Sequence, residues 1–245
     1  MDPDRILDVL RETAHAVHSA LELFEGEGAS GQRDGQYALD LVADQAACDV
    51  LISSGFSVFS EESGAQGEGE ICVVVDPVDG STNCDRGIPF YSISLCAMDG
   101  AGPYVSMVEN LATRDVYAAR RGHGATKNGT PIRPSGRAAS NGAIVGVNGT
   151  LSERPSWAQV RTLGSAALEL CLVADGALDA YVQVGGATLR PWDYLAGLQI
   201  VQEAGGAVRS VDGEDLYVAE AVGRVPLAAA TEVLADQLIS ELHRH

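Results

Sequence analysis

Residues 71–83 read ICVVVDPVDGSTN: an apolar run delivers Asp76 and Asp79, spaced i and i+3, into Gly-Ser-Thr-Asn. Carboxylates gathered this closely raise each other's pKa unless a cation neutralises them, and a divalent ion held by hard oxygen donors is the usual solution. Pro77 predicts a rigid turn on which both side chains and the Val78 carbonyl converge. Gly80 lets backbone approach an anion, and Ser81, Thr82 and Asn83 suit the cap of a helix whose free amides would cradle a phosphate. Alone, a D-P-x-D-G segment is most simply a turn. Two further acidic groups stand at element ends: Glu61-Glu62 close the apolar stretch FSVFS, and Asp193 falls in the first turn of PWDYLAG. Each has a plain reading, as a solvated edge or a carboxylate favoured by a helix N-terminus. Their joint occurrence argues for one metal- and phosphate-binding site.

These residues need elements to hold them. Asp2-Pro3 predicts a helix start, with Ile6, Val9, Leu10, Val17, Leu21 and Phe24 in helical period. A second helix is predicted over about 40–54, FSVFS as a strand, SGAQGEGE as a loop and ICVVV as a strand buried on both faces. Residues 91–121 predict an antiparallel meander, and GHGATKNGTPI a hairpin with Asn128-Gly129 at its tip. PSGRAASNG, at 134–142, is the candidate boundary between subdomains. Beyond it come a strand (IVGVN), a helix with Leu168, Cys171 and Leu172 on one face and Gly176 as its stop, and a strand (LDAYVQV). A helix opening at Pro191, one more strand and a helix near 231–242 complete the chain.

SEES (60–63), DPVDGSTN (76–83) and PWDYLAG (191–197), in this order, resemble the three signature blocks of the inositol monophosphatase family. That family belongs to the magnesium-dependent, lithium-sensitive phosphatase superfamily that includes fructose-1,6-bisphosphatases. RGIPFYSISL, GHGATKNGTPI, GSAALELCLVADGALDAY and VQEAGG extend the similarity over nearly the whole chain. The resemblance implies an α/β fold of the layered αβαβα sandwich type. An N-terminal α+β subdomain (1–138) would carry the metal and phosphate site, and a C-terminal α/β subdomain (139–245) would contribute Asp193. It also implies a homodimer and two to three Mg²⁺ ions. Glu61, Asp76 and the Val78 carbonyl would hold one ion, Asp76, Asp79 and Asp193 a second, and a weaker third would sit near Glu61.

Asp79 and the amides of Gly80 and Ser81 would face the phosphate. Ser81 stands where the family usually has threonine; with Glu61 it would aim the attacking water, while Asp44 accepts its hydroxyl. DLVAD lacks the family's nearby threonine, and Asp40, one turn earlier, is the alternative. Glu62 would lie behind the metal ligands. Gly164, Ser165, Gln183 and Arg190 are candidates for substrate contact, Arg190 alternatively being a surface residue. The implied activity is hydrolysis of a small phosphorylated alcohol or sugar by metal-activated water, without a phosphoenzyme. Gln183 replaces a glutamate that commonly contacts inositol, so histidinol phosphate, 3′-phosphoadenosine 5′-phosphate, fructose 1,6-bisphosphate and NADP stay open as substrates. A haloacid-dehalogenase loop would place its second Asp at i+2 and leave the glutamate pair and the W-D block unexplained. A non-catalytic regulatory module is the alternative of another class.

Composition sets outer limits. The 245 residues carry 34 acidic and 16 basic side chains, a formal net charge of -18, which repels nucleic acid and anionic membranes. A phosphorylated substrate therefore needs a local cation. Five scattered cysteines without C-x-x-C suit reduced thiols in the cytoplasm. MDPDRILDVLRE lacks a basic region followed by an apolar core, so export is not expected. His15, His18, His123, His243 and His245 show no ligand spacing.

Overall fold

The computed structural model describes residues 1–26, 28–32, 36–151, 155–186 and 188–243. Asp2 accepts the Asp4 amide at 3.1 Å and Pro3 opens α1 (Pro3–Glu22), whose Ile6, Leu10, Ala14 and Val17 are buried. With α2 (Ala38–Ser53) it covers one face of an eight-stranded sheet. The strands are β1 (Ser57–Ser60), β2 (Gly64–Gln66), β3 (Cys72–Asp79), β4 (Ser92–Asp99), β5 (Gly102–Asn110), β6 (Val116–Arg120), β7 (Ala125–Lys127) and β8 (Thr130–Pro131), in the order β2-β1-β3-β4-β5-β6-β7-β8. A short helix, α3 (Ser81–Asp85), joins β3 to β4. Alternation divides the cores: Val73 and Val75 face α1 and α2, whereas Val74 faces the opposite side. Asn128 and Gly129 both take positive φ at the β7–β8 hairpin, as the N-G pair requires.

The second sheet, in the order β10-β9-β11-β13-β12, holds β9 (Ile144–Asn148), β10 (Gln159–Arg161), β11 (Ala180–Gln183), β12 (Ala207–Ser210) and β13 (Pro226–Ala229). Helices α4 (Ala166–Ala174) and α5 (Pro191–Glu203) lie between the two sheets, and α6 (Glu232–Leu242) packs outside the second. The result is the layered αβαβα sandwich. As the central layer, α4 is buried nearly all round: Ala166, Ala167, Leu170 and Val173 are as hidden as Leu168 and Cys171. The helices cross so tightly that a Cβ on Gly197 would stand 2.7 Å from Leu170. We propose that the subdomains 1–138 and 139–245 divide within the crossing from β8 to β9.

Four expectations are corrected. SGAQGEGE contributes β2, an edge strand paired to β1 through backbone, so it needs no apolar pattern. Two strands, β12 and β13, appear where the sequence predicts one. Pro77 makes no turn: β3 runs on to Asp79, pairing Asp76 with Ser94 and Asp79 with Ser92, so β3 carries one extra residue. That bulge tolerates a residue without an N–H. It also cancels the alternation that would send residues i and i+3 to opposite faces of a regular strand. The cap of α3 is Gly80, not Ser81, Thr82 or Asn83, which lie within the helix. Of the histidines, His15, His123 and His243 are exposed, His18 lies 3.6 Å from Glu22, and His245 falls outside the described residues.

Candidate active site

Oxygen atoms of Glu61, Asp76 and Asp193 lie within 4.8 Å of one another. Parallel pairing of β1 with β3 sets Ser60 beside Val75, and the Glu61 amide donates to the Val75 carbonyl at 3.1 Å, bringing Glu61 alongside Asp76. Asp193 arrives from the second half on the first turn of α5, where its Oδ2 accepts the Arg190 amide at 2.6 Å. Two contacts seat that turn on the first sheet. Trp192 packs against Phe59 with ring centroids 5.4 Å apart, and Ser94, the register partner of Asp76, donates to the Trp192 carbonyl at 2.9 Å.

Burial and crowding make this cluster costly. Asp76, only 2% exposed, is pushed well above the ordinary carboxyl range, first by desolvation and then by the charges of Glu61, Asp79 and Asp193. Desolvation and then Asp79 do the same to Asp193. Asp79 is pushed up to about 6 by desolvation, against hydrogen bonds from Ser165 and Ala167 that lower it. A small divalent cation such as Mg²⁺ fits this donor set, because hard carboxylate oxygens of like charge converge there at close range.

Beside the cluster the chain turns from β3 into α3. Gly80 takes φ 93°, and its carbonyl accepts the Asn83 and Cys84 amides at 2.8 and 3.1 Å. Among the described residues no backbone carbonyl accepts the Ser81 or Thr82 amide outside helix and sheet pairing. Asn83 pins the turn by donating to the Phe90 and Leu163 carbonyls at 2.7 and 2.8 Å. A Cβ on Gly80 would meet the Gly164 carbonyl oxygen at 2.8 Å as well as demand a left-handed backbone. Gly80→Ala is therefore expected to cost at least about 2 kcal/mol of stability and to weaken inhibition by inorganic phosphate. Urea denaturation and phosphate inhibition check this; wild-type values in both would contradict it.

Other expected site residues take different partners. Asp79 neighbours the cluster without being one of its three converging carboxylates, its Oδ2 accepting the Ser165 hydroxyl and the Ala167 amide, each at 2.7 Å. Asp44, 6% exposed on α2, accepts the Ser60 hydroxyl and the Cys48 thiol; no hydrogen bond joins it to Ser81 among the described residues. Asp40 is equally buried and accepts the Tyr37 amide at 2.8 Å. Glu62 accepts the Gln36 side chain. The Val78 amide donates to Asp76 Oδ1 at 3.0 Å. Gly164 and Ser165 lie against the Gly80 turn and Asp79. Gln183 is 1% exposed and neither of its amide atoms has a hydrogen-bond partner among the described residues, while Arg190 is exposed with its guanidinium on the Ala221 carbonyl at 2.7 Å. Sequence reasoning missed Ser94 and the tethering role of Asn83, because both depend on strand register and on a loop 80 residues away.

Comparison with known proteins identifies the chain. The model of the inositol monophosphatase family matches residues 4–245. A fructose-1,6-bisphosphatase/inositol-1-monophosphatase of Archaeoglobus fulgidus is 35% identical, covering 98% of each chain. A Nus factor SuhB of Xylella fastidiosa is 34% identical over 65% of this chain and 62% of its own. The solved inositol monophosphatase of Anabaena superposes with a TM-score of 0.82 at 27% identity, covering 98% of this chain and 96% of its own. The chain belongs to the inositol monophosphatase family, and with it to the phosphoric monoester hydrolases.

Proposed function

We propose that this enzyme is a Mg²⁺-dependent phosphomonoesterase acting on a small phosphorylated alcohol or sugar. The observation that carries the reading is the convergence of Glu61, Asp76 and Asp193 beside the Gly80–Ser81 turn. Glu61, Asp76 and Asp193 would hold the ions, with Asp79 and the Val78 carbonyl completing their ligands. Bound there, two or three ions would supply neutralisation of the phosphate charge and a lowered pKa for the attacking water. The chain's own residues orient the reaction. The amides of Gly80 and Ser81 bind phosphate oxygens. Glu61 and the Ser81 hydroxyl aim the water in line, so no covalent phosphoenzyme is needed. Asp44, through Ser60, braces the end of β1 that carries Glu61. Gly164, Ser165 and Arg190 would contact the leaving alcohol, whereas Gln183, at 1% exposure, is closed to it.

The five free cysteines support a reducing, cytoplasmic setting, and no described helix is long and apolar enough to cross a membrane. We also propose a homodimer, to be measured by sedimentation. The relative named a Nus factor supports a second reading, binding without turnover; the intact carboxylate set favours turnover. A panel of phosphate monoesters headed by inositol 1-phosphate and histidinol phosphate, and including 3′-phosphoadenosine 5′-phosphate, NADP and fructose 1,6-bisphosphate, decides. Mg²⁺-dependent phosphate release, inhibited by Li⁺, is expected; no release from any monoester would favour the regulatory reading.

A further inference from the structure

One buried acid lies outside the machinery described so far yet grips it from behind. Glu169, on α4, is 2% exposed, and its Oε1 accepts the amides of Leu163 and Gly164 at 3.0 and 3.3 Å. Those two residues, with Ser165, touch the phosphate-facing turn three times. The Leu163 carbonyl accepts the Asn83 side chain at 2.8 Å, the Gly164 carbonyl abuts Gly80, and the Ser165 hydroxyl donates to Asp79 at 2.7 Å.

A second observation comes from the strand behind. Gly146 sits in the middle of β9 without a positive φ, a place where glycine weakens a strand and packs nothing. A Cβ there would stand 2.6 Å from Glu169 Oε2 and 3.3 Å from the Tyr181 ring. The missing side chain is the room in which the carboxylate lies. Oε2 itself has no hydrogen-bond partner among the described residues, and burial pushes the carboxyl up to about 7. An acid kept in so unfavourable a place, with a glycine spent to admit it, needs a reason beyond packing. The double acceptance on Leu163 and Gly164 supplies one.

We propose that Glu169 is a positioning residue: it fastens the Leu163–Ser165 loop, and through that loop holds the Gly80–Asn83 turn and Asp79 in register for phosphate. The role rests on the phosphatase reading of that turn. Glu169→Gln keeps an acceptor oxygen in place, Glu169→Leu removes it, and Gly146→Ala displaces the carboxylate from the opposite side. Leu238→Ala, in the remote α6 core, is the control for lost stability alone.

Hydrolysis of p-nitrophenyl phosphate with Mg²⁺, inhibition by inorganic phosphate, and amide hydrogen exchange of segments 79–84 and 163–165 form the test. Glu169→Leu and Gly146→Ala are each expected to lower kcat and weaken phosphate inhibition about ten-fold or more, with faster exchange in both segments. Glu169→Gln should stay within about three-fold of wild type. Leu238→Ala should lower the melting temperature without changing phosphate inhibition or exchange at 79–84. Wild-type phosphate inhibition and unchanged exchange at 79–84 in Glu169→Leu would overturn the proposal; should that variant not fold, the same results in Gly146→Ala would do so. The exchange measurement needs no turnover, so an inactive wild type would sink the phosphatase reading while exchange still decides the role of Glu169.

Discussion

Asp76→Asn is expected to lose about a thousand-fold or more in turnover with Mg²⁺ and, in the metal-free protein, to melt at a higher temperature than wild type. Loss of activity alone would fit any damaged enzyme; the opposite movement of stability is specific to the site. Asp76 is 2% exposed and faces Glu61, Asp79 and Asp193, all of one sign. Without a cation, ionising it is opposed by burial and by three neighbours. Asparagine keeps its shape and removes the charge, and Oδ1 still accepts the Val78 amide. With Mg²⁺ the order reverses: wild type gains the free energy of ion binding, as any ligand bound only by the native state confers, and the variant gains far less. Turnover near wild type, or a variant that melts lower with and without Mg²⁺, would contradict the assignment.

The second large effect is on pH. Asp76, Asp79 and Asp193 are all pushed above the ordinary carboxyl range in the folded protein, Asp79 up to about 6 and the other two well above their ordinary value. For a group with a raised folded pKa, the contribution to stability is full below the unfolded value of about 3.9 and is lost as pH rises through the folded value. The metal-free protein should therefore lose stability as pH rises from about 4 through the raised folded values, each unit of raised pKa being worth about 1.4 kcal/mol before coupling among the three groups is counted. The window opens near 4 and passes Asp79 near 6. Saturating Mg²⁺ should flatten the slope, because bound ions hold the carboxylates ionised. Melting curves in chelator and in Mg²⁺ across that range check the sign. A metal-free melting temperature that rises with pH, or a slope shared unchanged by Asp76→Asn, would refute it.

The parts of the site that end elements were legible in the residues. Glu61 closes an apolar strand, Asp76 interrupts a valine run, and Asp193 follows Pro191 into a helix. Each boundary is a local signal, and the structure brings the three together from three elements. What depends on partners was not legible. The bulge at Asp76–Asp79 arises from register with β4, so Pro77 alone suggested a turn. Ser94 gains its role only because that register sets it opposite Asp76, under the Trp192 carbonyl. Asp44 bonds Ser60, a residue that nothing near Asp44 in sequence marks. The all-round burial of α4 follows from its place between two sheets, which a single apolar face could not announce. Nothing near Glu169 in sequence marks it, and its meaning depends on a glycine in another strand.

The most direct test of the site is to locate its ions. Crystals grown with Mn²⁺ in place of Mg²⁺, measured at an anomalous wavelength, should show density bounded by Glu61, Asp76 and Asp193, lost or displaced in Asp76→Asn. An active enzyme whose Mn²⁺ lies elsewhere, with those three carboxylates empty, would contradict the account.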